Sequence, residues 1–411
     1  MTTPVRMAVL GGSGVATPEL IDCLAQNGPR PAFHIALIGR SREKLEQVGA
    51  LCARLAEQAA PPITISTHTD LREGLQGADY VLNQVRVGGY TARAFDETFP
   101  REFGILGEET VGPGGFANAM RTVPVVLEQC RVIEEVAPRA LVINLTNPSS
   151  YIQYAISRYT RLDVLGLCDA PVSQTQMVAG LLGTPPEELS VRYSGMHHYG
   201  WITSVRHQGR DVMPDVLSKL SIQPGLPVEA EIIQAMGAIP SSYFKYFYHS
   251  DRMLEAQSGK PARAEQLMAL EAEMMAAYRS GELEGKPPSL EKRGANWYRQ
   301  IIVPVLLAHL NDSAAVFILN VTNHGALPFL PPQTIVEVPC VVRRSGFLPL
   351  SYDQGLLPDL EALLLVNATF EMMWVEAVVE RSYPKALRAM LLNHLVYSYD
   401  QAKGVLDKIW E

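Results

Sequence analysis

The chain has 411 residues, 47% of them hydrophobic and 19% charged, and carries a formal net charge of −8. That length exceeds one compact core and suits two closely packed domains, while the acidic balance argues against non-specific nucleic-acid binding, which needs a basic surface. No stretch approaches the roughly 20 apolar residues that span a bilayer, so no membrane partner is expected. The opening residues run straight into a strand with no room for the h-region of a signal peptide. Cys23, Cys52, Cys130, Cys168 and Cys340 are scattered and odd in number, which suits a reducing cytoplasm better than a disulfide framework.

Arg6–Leu10 is a short apolar run that predicts a first strand. Gly11-Gly12-Ser13-Gly14 follows, and a helical pattern starts at Thr17, with Pro18 suited to its first turn. Further strands are predicted at His34–Ile38, Ile63–Thr67, Tyr80–Val85, Ala140–Leu145 and Val164–Leu167, and a charged helix at Ser41–Glu57. Strands alternating with helices mean βαβ units and a parallel sheet. Beyond about residue 170 the pattern changes. Helices dominate at 172–183, 228–280, 289–310, 353–381 and 384–409, and strand-like pieces read at Leu189–Tyr193, Ile202–His207, Ala315–Asn320 and Thr334–Val342. The predicted organisation is α/β: a Rossmann-like dinucleotide-binding domain over 1–170 and a mixed α/β domain over 171–411.

Gly12-x-Gly14 sits where the backbone must turn sharply and let a pyrophosphate approach a helix N-terminus. Gly12, Ser13 and Gly14 are therefore assigned to the cofactor, although Thr17 replaces the third glycine of the usual fingerprint. The acid expected at the end of the second strand, to grip the ribose 2′-hydroxyl, is missing: the chain reads Ile38-Gly39-Arg40-Ser41. Arg40 could meet a 2′-phosphate, which keeps NADP open beside NAD.

Several segments are richer in Gly, Arg and acidic residues than a core requires. They are Asn83-Gln84-Val85-Arg86-Val87-Gly88-Gly89 with Arg93, then Gly107-Glu108-Glu109-Thr110-Val111-Gly112-Pro113-Gly114-Gly115 and Asn144-Leu145-Thr146-Asn147-Pro148. Cys168-Asp169-Ala170-Pro171, Gly195-Met196-His197-His198-Tyr199-Gly200-Trp201 and Asn320-Val321-Thr322-Asn323-His324-Gly325 follow. In content and serial order these resemble the NAD-dependent glycosidases of glycoside hydrolase family 4.

The resemblance implies a glycosidase that flanks its bond with no carboxylate pair. Such enzymes oxidise the sugar at C3 by hydride transfer to NAD, remove the acidified C2 proton, eliminate the aglycone, add water and reduce the ketone back. A divalent metal, usually manganese, acts as Lewis acid. By the same resemblance Cys168 and His198 are the metal ligands, with His197 a neighbour that could orient them. Tyr243 is the C2-proton base, with Tyr246 in reserve, and Asp169 assists the leaving group. Asn83 and Asn147 accompany the cofactor; Arg93, Asn147, Arg263 and Arg293 hold the sugar and its 6-phosphate.

Glu108 stands where the family usually has Gln, which leaves an unphosphorylated sugar open. Asp169 and the His198–Trp201 run resemble α-specific members, whereas Lys292-Arg293-Gly294 resembles the β-specific ones. The anomer is unresolved, with a lean to 6-phospho-β-glucosides. The partners expected are a small sugar or sugar phosphate and further copies of the chain, as homodimer or homotetramer. The alternatives are an NAD(P)-dependent dehydrogenase of the lactate/malate type, which would reduce its cofactor stoichiometrically, and a dinucleotide-sensing protein that hydrolyses nothing.

Overall fold

Six short apolar segments build the first half of the sheet: β1 (Val5–Leu10), β2 (Phe33–Ile38), β3 (Ile63–His68), β4 (Tyr80–Asn83), β5 (Leu141–Asn144) and β6 (Val164–Gly166). All five pairings among them are parallel, in the order β3-β2-β1-β4-β5-β6. Their central members are buried on both faces, as continuous apolar runs in a helix-covered parallel sheet should be. This is the doubly wound dinucleotide-binding order, with its reversal between β1 and β4. The structure, a computed structural model, describes residues 3–280, 286–351 and 355–410, and the backbone alone at 291–293.

The sheet does not stop at β6. Antiparallel strands extend it through β7 (Leu189–Met196), β8 (Tyr199–His207), β9 (Arg210–Asp211), β10 (Ile239–Pro240), β11 (Val316–Thr322), β12 (Ile335–Arg343) and β13 (Gly346–Pro349). The order continues β6-β11-β12-β7-β8-β10, so the two late strands β11 and β12 lie between β6 and β7.

One register row crosses both halves. Leu10 pairs with Asn83, Asn83 with Asn144, Asn144 with Gly166, Gly166 with Asn320, Asn320 with Glu337, Glu337 with Gly195 and Gly195 with Gly200. The polar members of this row are buried and bond to one another. Asn83 Nδ2 donates to Asn144 Oδ1 at 2.9 Å and Asn320 Nδ2 to Glu337 Oε1 at 2.8 Å. Buried amides are stable only when paired in this way, so the row fixes how the strand ends line up and hence where each following loop begins.

The helix Pro358–Glu380 corrects the expectation that no segment approaches membrane-spanning length. Its 23 residues include an 18-residue window of mean hydropathy 1.6. Half of that window is buried inside the protein. Leu360, Leu364, Ala368, Phe370, Trp374 and Val375 are buried, and Trp374 lies against Phe116 with ring centroids 4.4 Å apart while its Nε1 donates to the Phe116 carbonyl.

Two spans predicted to be helical resolve into shorter elements. The span 228–280 divides around β10 into Ala230–Met236, Lys245–Tyr248, Ser250–Gln257 and Arg263–Ser280. The span 384–409 divides into Tyr383–Leu392 and Tyr399–Ile409, the second capped by the Ser398 side chain accepting from the Gln401 N–H.

Candidate active site

A cleft of about 1010 Å³ lies at the carboxyl ends of β1, β4, β5 and β6, and its wall continues to the β7–β8 turn. That is where open α/β sheets bind ligands. Each lining loop leaves the sheet just past the register row: Gly11–Ser13–Gly14 after β1, Gln84–Val87 after β4, Leu145–Asn147 after β5 and Leu167–Asp169 after β6.

At the dinucleotide end the glycine that makes the turn is Gly11, at φ +79°, a residue missing from the sequence-based assignment. Gly12, assigned to the cofactor, does not line the cleft. It packs under the turn, where a Cβ would come within 2.8 Å of Leu37 and Ile38. Ser13 and Gly14 do line it. Ser13 crowds the position of the missing acid: a Cβ on Gly39 would approach Ser13 Oγ to 2.8 Å and Ser13 Cβ to 3.2 Å, so a side chain at the end of β2 would have to displace Ser13. Arg40, Ser41 and Lys44 line this end instead, with Lys44 paired to Glu271 at 3.0 Å.

Gln84 ties the turn down from the other side. Its Nε2 donates to Thr17 Oγ1 at 3.1 Å and to the Gly11 carbonyl at 3.3 Å, and its Oε1 accepts from the Tyr298 hydroxyl at 2.7 Å. For this reason β4 ends at Asn83 and not at the predicted Val85. Asn83 itself lies buried beneath the cleft in the register row.

At the other end, His197 and His198 are the two residues of the turn between β7 and β8, since Met196 pairs directly with Tyr199. His198 is held at φ +62°, a left-handed backbone that costs a non-glycine residue about 1–2 kcal/mol. Such strain concentrates at functional sites. The Sγ of Cys168 and ring nitrogens of His197 and His198 all lie within 4.8 Å of one another, and all three residues are buried. Burial pushes the His197 imidazole down to about 3 and that of His198 well below its usual value, so each keeps a lone pair to offer. Burial, and then Glu337 and Asp169, push the Cys168 thiol up; a cation at this point would reverse that balance.

Thr110 orients His198. Its backbone N–H and its hydroxyl both donate to Glu108 Oε2, at 2.5 and 2.6 Å, and its Oγ1 lies 3.0 Å from His198 Nδ1. With the single hydroxyl proton directed at Glu108, Oγ1 accepts from Nδ1–H and the Nε2 lone pair is left free. Desolvation, and then the neighbouring Glu109, push the half-buried Glu108 up to about 7.

Tyr243 follows β10 in a single turn of 3-10 helix, and its ring stacks on His198 at 3.5 Å and 13°. Burial and then Glu108 push its phenol well above its usual value. Tyr246 does not line the cleft, and Lys245 lies over its ring at 4.9 Å. Asp169 occupies the cap position of the helix Ala170–Leu182, yet its side chain makes no capping bond. Its carboxyl lines the cleft and burial pushes it up, towards the protonated form of a general acid.

The arginines divide. Arg93 lines the cleft and is paired with Glu97 at 2.7 Å and Glu109 at 2.8 Å, while Arg86 also pairs with Glu109. Asn147 lines the cleft as well. Arg263 is not brought there. It is the exposed first residue of the helix Arg263–Ser280, and its guanidinium bonds Gln266 on its own helix. The side chains of Lys292 and Arg293 lie outside the described residues. Sequence reasoning missed Gly11, Gln84, Thr110 and Tyr298, of which only Gly11 carries a local signal.

A dinucleotide turn and a buried Cys–His cluster opening into one cleft define an enzyme with room for both a cofactor and a cation. The chain belongs to family 4 of the glycosyl hydrolases: the family model described as "Family 4 glycosyl hydrolase" matches residues 7–184 and that of its C-terminal domain matches residues 193–396. A Bacillus subtilis (strain 168) protein described as a probable 6-phospho-beta-glucosidase is 34% identical, the match covering 100% of this chain and 97% of that protein.

The 6-phospho-beta glucosidase of Thermotoga maritima, solved with manganese, NAD+ and glucose-6-phosphate, is 28% identical and superposes with a TM-score of 0.90 over 98% of this chain and 97% of that one. A 6-phospho-alpha-glucosidase from gut microorganisms, in complex with NAD and glucose-6-phosphate, gives 25% identity and a TM-score of 0.90 over 99% and 97%. The fold alone extends to malate dehydrogenase from Plasmodium falciparum, at 12% identity and a TM-score of 0.58 over 91% and 99%. The chain is thus a glycosidase on a dehydrogenase-like frame, which decides between the two enzymatic readings.

Proposed function

We propose that the protein hydrolyses 6-phosphoglucosides by the oxidation, elimination, addition and reduction sequence of its family, with NAD and a divalent metal bound in the cleft. The observation that carries this reading is the convergence of Cys168, His198, Tyr243 and Asp169 on one wall of the cleft whose other end is the Gly11–Gly14 turn. The donor chemistry fits: one sulfur and neutral imidazole nitrogen suit a divalent cation, with places left for sugar oxygens.

Cys168 and His198 hold the cation, which would polarise the sugar oxygens and favour the Tyr243 phenolate. NAD would take up hydride from C3 and return it after cleavage. Tyr243 Oη then removes the C2 proton, and the protonated carboxyl of Asp169 donates to the departing glycosidic oxygen. Arg93 and Asn147 orient the sugar, and Arg93 and Arg86 are the groups that would meet a 6-phosphate once Glu109 yields them.

The β anomer is proposed on the strength of the 34% identical relative, and a cytoplasmic enzyme on the five cysteines, which are all buried and unpaired. A homodimer or homotetramer is proposed from the large apolar side chains left at the surface, Tyr397 and Tyr399 at 71% and 57% exposure among them.

The test uses nitrophenyl α- and β-glucosides, with and without 6-phosphate, under reducing conditions. Nitrophenol release is expected from the 6-phospho-β-glucoside only when both NAD and Mn²⁺ are supplied, with no net NADH. Release by protein stripped of both, or stoichiometric NADH, would overturn the reading.

The adenosine end makes a separate prediction. NADP is expected to bind, because Arg40, Ser41 and Lys44 stand where an acid would repel its 2′-phosphate. A hydrogen bond to a charged group contributes about 1.5–3 kcal/mol. Arg40→Glu should therefore weaken NADP about tenfold or more, measured by fluorescence titration, with NAD affected far less. Equal losses for the two cofactors would place Arg40 away from the 2′ position.

A further inference from the structure

We propose that His197 is a third protein ligand to the metal, so that the site offers one thiolate and two imidazoles and prefers cobalt(II) or zinc to manganese. The inference rests on the metal-dependent reading above and concerns this chain's own turn. His197 and His198 are consecutive residues of a two-residue β-turn, and their rings stack at 3.7 Å with an interplanar angle of 25°. Stacking alone does not aim both rings at one point, but a nitrogen of each lies within 4.8 Å of the other and of Cys168 Sγ, so a small rotation of the His197 ring about its side-chain bonds brings both lone pairs onto one ion. The two rings are not used alike. Thr110 engages Nδ1 of His198, while among the described residues no hydrogen bond engages either ring nitrogen of His197, which lines the cleft.

The donor set decides the preference. Manganese(II) is a hard cation suited to carboxylate, carbonyl and water oxygens, whereas thiolate and imidazole favour the later, softer metals; stability at such donors is lowest for manganese, rises through cobalt to a maximum at copper, and thiolate in particular selects zinc. A Cys–His pair completed by sugar oxygens leaves most positions to oxygen. A Cys–His–His set does not. It matches the three-ligand arrangement with an open position that catalytic zinc sites use.

The test is metal binding by the full chain, chelator-stripped and without NAD or sugar. Wild-type protein is expected to bind one Co²⁺ with a thiolate-to-cobalt charge-transfer band and with higher affinity than Mn²⁺. His197→Asn should weaken Co²⁺ by about tenfold or more and alter the visible d–d bands, with a smaller effect on Mn²⁺. An unchanged Co²⁺ affinity and spectrum in His197→Asn would overturn the proposal.

X-ray absorption of the zinc-loaded wild-type protein supplies the same answer without a substitution: one sulfur and two imidazoles are expected, and a single imidazole would overturn it. The broader reading fails differently. If Cys168→Ser binds Co²⁺ with the wild-type charge-transfer band, then the metal is elsewhere and both proposals fall.

Discussion

Cys168→Ser is expected to remove glycosidase activity almost entirely, with a loss on the order of 10³-fold or more in kcat/KM on a nitrophenyl 6-phosphoglucoside. The magnitude follows from the Lewis-acid contribution of a bound cation, several kcal/mol, at one factor of ten for each 1.36 kcal/mol. The substitution is conservative in volume, and Cys168 sits in a buried loop just past β6, where a serine hydroxyl can keep the bond from the Ala170 N–H that the thiol accepts at 3.4 Å. Folding should therefore survive while the metal affinity does not. Full activity in a variant shown to be folded by circular dichroism would take Cys168 out of the site.

Tyr243→Phe should give the second-largest effect, a fall in kcat of about 10²–10⁴-fold, the range of a single acid–base group. The ring that stacks on His198 at 3.5 Å is retained, so metal and NAD binding should stay close to wild type. The specific signature is isotopic. In D₂O, wild-type product should carry deuterium at C2, and the variant should lose that exchange in step with its rate. A kcat within about threefold of wild type would return the base role to another group.

How far the sequence discloses this site depends on whether the governing interaction is local. The parallel half was legible because its central strands are short apolar runs and each strand is followed by its own helix, whereas the edge strand β3 reads as alternating Ile-Thr-Ile-Ser. Gly39-Arg40 was legible as a departure, but its cause was not. Ser13, from the preceding loop, packs over Gly39 and would have to shift to admit a side chain there, a contact that no local pattern announces.

The β7–β8 hairpin was read as two shorter strands with a loop, because Gly195 and Gly200 lower strand propensity. Across the hairpin they face one another. A Cβ on Gly195 would fall 2.2 Å from the Gly200 Cα, and one on Gly200 would strike the Tyr193 ring. Glycine there permits close approach, which only the pairing reveals. Gln84, Thr110 and Tyr298 act through contacts far apart in the chain, and no spacing announces them. Arg263 failed in the opposite direction: its motif position matches, but its side chain turns to Gln266 at the surface.

The register row has a kinetic meaning. β6 ends at Gly166 and the Cys168 loop follows, while His198 hangs on β7 and β8; among the described strands β11 and β12, made much later in the chain, lie between these two parts of the sheet. The early half can therefore wind its parallel strands during synthesis, but the distance between Cys168 and His198 is set only after Asn320 and Glu337 have entered between them. Contacts of such long sequence separation form slowly. If Cys168 and His198 hold a cation as proposed, its capture during refolding is expected to follow the pairing of β11 and β12 and so to report that the late strands are in register.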